Sequence, residues 1–111
     1  MAPQNADTEM GDGLPPAVVE DLLSDDARRR ALAILSDREG PVVVEELAAA
    51  VVAAREGCGE AAIEATDQET MAEELFTEHL PKLMATDVVA YDSMLGTVEL
   101  RRRDVAPQRQ P

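Results

Sequence analysis

The residue types best suited to chemistry lie in two stretches. Between Glu60 and Glu78 the chain places seven acids and no lysine or arginine. Gln68, Thr70 and Thr77 are interleaved with them, and Lys82 follows. Further on, Arg101, Arg102 and Arg103 stand in a row. Amide, hydroxyl and ammonium groups can read base edges in a DNA groove, and guanidinium groups can contact phosphate. Gln68, Thr70, Thr77, Lys82, Arg101, Arg102 and Arg103 are therefore candidate contacts to double-stranded DNA. Carboxylates accept from cytosine but are repelled by phosphate, so the acidic stretch also suits a protein partner or a plain solvated face.

Other groups point away from catalysis. His79 is the single histidine, and Glu74, Glu78 and His79 do not show a familiar metal-ligand spacing. A half-buried packing histidine is the expectation, with no metal and no cofactor. Cys58 is the single cysteine and lies in a Gly-Cys-Gly loop, where it has no internal disulfide partner. No nucleophile stands beside a base, and there is no Gly-rich phosphate loop, so the reading is of a non-enzymatic protein. Arg28, Arg29 and Arg30 begin a predicted helix, at the end where the helix dipole disfavours cations. Partners such as Asp25, Asp26 or Glu74 are expected for them.

Composition sets the setting. The chain has 111 residues, the size of one domain, with 23 acids against 10 bases and a net charge of −13. The acids are interleaved with periodic apolar residues, so this is not a disordered acidic tail. The pattern fits a cytosol near molar salt, where the Debye length falls to about 3 Å and self-repulsion is screened. The plainer alternative is an acidic protein from a high-GC genome. One Phe, one Tyr and no Trp leave a core of small groups. The lack of a long apolar run and of a basic, apolar N-terminus predicts a cytoplasmic location and no membrane association.

Periodicity predicts the elements. Residues 1–15 read as a polar, disordered tail, 16–102 as one domain, and 103–111 as a second tail. Pro15-Pro16 opens a helix to about Leu23, with Val18, Val19, Leu22 and Leu23 inward. Ser24 reads as the cap of a second helix whose buried stripe is Ala27, Ala31, Leu32, Ile34 and Leu35. Gly40-Pro41 stops it. Val42 and Val43 read as a short strand, with Val44 where a capping hydroxyl would normally sit. A third helix follows, burying Leu47, Ala48, Val51 and Val52 and ending at Gly57. Thr66 to Glu69 reads as a capping box. From it runs a helix over about 67–86, with Ala72, Phe76, Leu80 and Leu83 inward and a disturbance at Pro81. Asp87 ends it in a left-handed conformation. "VVAYD" and "TVELR" then form a hairpin turning at Gly96.

The order helix, helix, short strand, helix, helix, hairpin is that of a mainly α, α+β winged helix-turn-helix domain of about four helices. In that arrangement the helix over 67–86 reads duplex DNA and the hairpin over 88–101 is the wing. The segments "LLSDDARRRALAILSDREGPVVVEELAAAVV" and "FTEHLPKLMATDVVAYDSMLGTVEL" resemble a haloarchaeal winged-helix family of unassigned function. "HLPKL" with "VVAYD…GTVEL" is similar to the "HLxxLxxxGLV" segment of ArsR-type repressors. The resemblance spans roughly 22–100 and implies a winged-helix fold and a role in transcription. Two departures stand out: Asp87 replaces the usual Gly, and "DQETMAEEL" replaces basic or tyrosine residues. The expected function is a DNA-binding transcription regulator, acting as a homodimer through the terminal arms and the first helix. The alternative is an adaptor whose acidic helix face binds a protein partner.

Overall fold

The computed structural model describes residues 14–105. Among these residues five α-helices and a three-stranded antiparallel sheet enclose a single core. Helix α1 spans Pro16–Leu23 and α2 spans Asp26–Asp37. Strand β1 is Val42–Val43, and α3 runs Val44–Glu56. After a 3-10 turn at Glu60–Ala62, a rod forms from α4 (Ala65–Glu74), a π turn (Leu75–His79) and α5 (Leu80–Ala85). Strands β2 (Val89–Asp92) and β3 (Thr97–Leu100) complete the hairpin. The sheet order is β1-β3-β2, with Val42 opposite Val98 and Val89 opposite Leu100. The expected mainly α, α+β winged-helix architecture is the observed one.

The helix boundaries follow from local chemistry, with two corrections. Asp25, not Ser24, caps α2: its carboxylate accepts from the Arg28 N–H at 3.0 Å. The Ser24 hydroxyl instead turns back to donate to the Asp21 carbonyl at the end of α1. Nor does Thr66 open a capping box. The rod begins at Ala65 with Glu64 in the cap position and no side-chain cap bond, so Thr66 already lies in the first turn. Its carbonyl accepts from the Thr70 hydroxyl.

At α3 the missing hydroxyl cap has a tertiary substitute. Val43 takes the cap position, and the Val44 N–H donates to the carbonyl of Gly96 in the hairpin turn at 3.0 Å. The wing thus satisfies a helix N–H that no side chain reaches. Gly57 ends α3 at φ 71°, where a glycine costs least. Asp87, at φ 61°, does the same for the rod. Its N–H donates to Met84 O and that of Val88 to Leu83 O, the two bonds of a Schellman motif.

Pro81 disturbs the rod as its missing N–H requires, and the disturbance takes the form of the π turn. The Leu80 N–H reaches the carbonyl of Leu75, five residues back. One residue more per turn rotates the buried face. Ala72, Leu80 and Leu83 are inward as expected, but Leu75 and His79 are buried with them. Phe76, expected inward, is 41% exposed and meets Tyr91 edge to face, with ring centroids 5.6 Å apart. Ile34 is only half-buried against the core.

Val105, which fell in the tail expected from residue 103, is 1% exposed and belongs to the core. A turn places it there, its N–H donating to the Arg102 carbonyl. At the other end Leu14 packs half-buried on the core, and Pro15 O accepts from Val18 and Val19. The rest of the expected tails, 1–13 and 106–111, lies outside the described residues, and so do the terminal arms expected in a dimer.

Leu75 has no exposed surface in the rod. Leu75→Ala is expected to lower the unfolding free energy by about 2–5 kcal/mol in urea denaturation. Val105→Ala is expected to cost about 2 kcal/mol by the same measurement. An unchanged midpoint for Val105→Ala would place that residue outside the cooperative unit.

Candidate functional site

The rod and the hairpin stand side by side, and the rod's outer face is the candidate interface. Thr70, Glu73, Glu74, Thr77 and Glu78 line a shallow concavity on it. Thr77 is exposed, as a groove-reading role requires. Both threonine hydroxyls are already committed as donors: Thr70 to Thr66 O and Thr77 to Glu73 O, each at 2.9 Å. What they offer outward is oxygen lone pairs. With the glutamates beside them, the concavity presents acceptors and no donor side chain. Such a face suits amino groups, whether on cytosine and adenine edges or on cationic protein side chains.

The remaining candidates are drawn into the fold. The Gln68 amide donates to the Glu45 carbonyl on α3 at 2.7 Å, clamping the two helices together. Lys82 Nζ lies 2.8 Å from Asp21 Oδ2 and ties the rod to α1. Arg101 Nε donates to Asp87 Oδ1 at 3.2 Å, across the base of the wing. Arg103 donates to the Ser36 carbonyl at the end of α2. Arg102 is half-buried between them. The wing tip carries no cation. Met94 and Leu95 are 91% and 68% exposed there. The Asp92 carboxylate takes the N–H groups of both, so the tip amides are spoken for as well. The structure therefore brings Thr70 and Thr77 together on one face, but leaves Gln68, Lys82 and the arginines engaged elsewhere.

Arg28, Arg29 and Arg30 find partners, though for Arg28 not the expected acids. Its guanidinium is buried and donates to the carbonyls of Leu22 (2.7 Å) and Asp21 (2.8 Å). Those carbonyls lie in the last turn of α1, where a cation is favoured. The cost of a cation at the start of α2 is offset by seating its charge at the end of α1. Arg29 adds a bond to Leu23 O. Asp26 gathers Arg29, Arg30 and Arg55 at 2.9, 3.0 and 3.3 Å. The hydrogen bond from Arg30 holds the Asp26 carboxyl below its ordinary range; burial opposes, while Arg55 and the other guanidinium charges reinforce it.

His79, expected to pack half-buried, is instead fully enclosed at 2% exposed. Its Nε2 lies 2.9 Å from Glu74 Oε2 and 3.6 Å from Asp25 Oδ1, and its Nδ1 lies 3.5 Å from Arg28 Nη1. Sequence spacing did not reveal this group. Glu74 and His79 share a face only because the π turn carries five residues round, and Asp25 arrives from another helix.

The arrangement defines a winged-helix domain, with an acceptor-lined helix face beside an apolar-tipped hairpin. Over residues 20–99 the chain matches the family model described as a domain of unknown function, DUF7344, and it belongs to that family. No curated protein and no solved structure matches it. Among the described residues no helix is long and apolar enough to cross a membrane.

Asp21 supplies a test of how the rod is tethered to α1. The hydrogen bond and then the charge of Lys82 lower its carboxyl from the ordinary value, with burial opposing. A lowered folded-state value means the contribution is complete above the ordinary aspartate range and disappears as pH falls through the lowered one. Asp21→Asn is therefore expected to be less stable than the parent at neutral pH. The gap should close on acidification below about pH 4 and shrink in molar salt, as read by thermal melts. A gap that persists in acid would assign the effect to something other than the ion pair.

Proposed function

We propose that the protein is a transcription regulator of a halophilic archaeon, related in plan to ArsR-type repressors, that binds duplex DNA. The rod of α4, the π turn and α5 lies in the major groove and the β2–β3 hairpin lies beside it. The observation that carries this reading is the outward placement of Thr70 and Thr77 on a rigid rod flanking a paired hairpin. In a groove, their acceptor oxygens and those of Glu73 and Glu78 would face cytosine and adenine amino groups.

The charges restrict the conditions. Lys82 and Arg101 are paired within the chain, so few phosphates are neutralised. Binding then depends little on counterion release and falls only shallowly with salt. Molar salt also screens the glutamates from the phosphates. The specific observation on the other side is that no basic side chain lines the concavity. It favours the second reading, an adaptor whose acidic face and exposed Met94 and Leu95 engage a cationic protein partner.

A mobility-shift assay with genomic fragments in molar KCl separates the two. For the DNA reading, the parent shifts a subset of fragments, Thr77→Ala weakens the shift by about 1–3 kcal/mol, and its loss depends on sequence. Arg101→Ala, which removes a cation already paired with Asp87, leaves the shift nearly unchanged. No shift by the parent at any salt concentration would overturn the DNA reading and leave the adaptor.

A further inference from the structure

The buried histidine cluster stands apart from both readings of the helix face. Asp25, Glu74 and His79 each bring one ligand atom into a group whose members all lie within 4.8 Å of one another. We propose that these three residues form a site for a divalent transition-metal ion of the zinc or cobalt class. His79 Nε2 and one oxygen each from Asp25 and Glu74 are the ligands.

The two separations from the imidazole suit such an ion. Bonds of about 2.0–2.2 Å in a tetrahedral shell set neighbouring ligand atoms roughly 3.3 Å apart. The His79 Nε2 to Glu74 and Asp25 separations, 2.9 and 3.6 Å, bracket that value. One imidazole and two carboxylates match a borderline ion, whereas calcium and magnesium take more oxygens. The ligands are also well held. His79 is fixed by burial, and Asp25 is fixed by its capping bond to the Arg28 N–H. Glu74 is brought into register by the π turn, a distortion that recurs at functional sites. The carboxylates are 41% and 37% exposed against 3% for the imidazole, so an ion enters from the solvent side.

Arg28 sets the proton arrangement. A guanidinium only donates, so a ring facing it with Nδ1 keeps its proton on Nε2, shared with Glu74. Metal on Nε2 requires that proton to leave and one to sit on Nδ1, opposite Arg28. The site therefore lacks the acceptor that usually backs a ligand histidine, and binds more weakly than one that has it.

Cobalt titration of the full chain, previously treated with chelator, tests the proposal through visible ligand-field bands. The parent is expected to develop the intense bands of a four-coordinate ion, saturating at one equivalent, and zinc should displace them. Glu74→Gln keeps an acceptor for the His79 ring, and Asp25→Asn keeps the helix cap, so both variants should stay folded by circular dichroism. Each is expected to weaken cobalt binding by about tenfold or more, in line with the loss of a ligand. Absence of bands in the parent, or bands equally strong in both variants, would overturn the site. The latter would mark diffuse binding to the acidic surface. A DNA shift by the parent tells separately on the interface, because none of its residues other than Glu74 belongs to the cluster.

Discussion

A buried guanidinium has to be satisfied on every side, and in this domain Arg28 is where that demand organises three elements. A charge removed from water without partners costs several kcal/mol or more. Arg28 meets the demand with two carbonyls at the end of α1 and with the ring of His79 on the rod. Its own backbone N–H is taken by Asp25. The turn between α1 and α2, the packing of α1 and the orientation of the rod's buried face are thereby joined. Asp21 and Lys82 repeat the α1-to-rod connection at the surface, where screening makes it weaker.

The acidic character of the chain is unevenly spent. Cations with an acidic partner sit on α2 and just after it, on α3, on α5 and at the base of the wing, in short pairs and in the Asp26 cluster. Those pairs brace the scaffold. The concavity of Thr70, Glu73, Glu74, Thr77 and Glu78 on the rod is lined by none of these cations. Concentrated salt weakens repulsion on such a face and weakens the exposed surface pairs as well, but it screens the buried Arg28 bonds far less. The buried scaffold and the interface thus respond differently to the same solvent.

The π turn links packing to chemistry. It admits one extra residue where Pro81 enters the rod, with the Leu80 N–H turned to Leu75 O, and it rotates the buried face. Leu75 and His79 gain burial, Phe76 moves to the rim against Tyr91, and Glu74 comes over His79. An otherwise regular helix would have separated the last two.

Much of the architecture was legible without coordinates. The 3.6-residue and two-residue periods marked α2, α3, the rod and the hairpin, because burial of one face imposes them. Gly57, Asp87 and Gly96 marked stops, since each needs a conformation that few residues adopt cheaply. Thr70 and Thr77 were correctly placed outward. What no local pattern contains is the choice among partners. Whether Ser24 or Asp25 caps α2, whether Gln68 and Lys82 face solvent or a neighbouring helix, and whether Phe76 or His79 is buried depend on distant groups. So does the substitution of the Gly96 carbonyl for a side-chain cap at Val44. The chain by itself determined which segments are helix, strand and turn, because those follow from solvent-driven periodicity and backbone sterics. Only the tertiary structure decided which polar groups are consumed internally and which remain for a ligand, because hydrogen-bond and ion-pair partners are assigned by proximity in space.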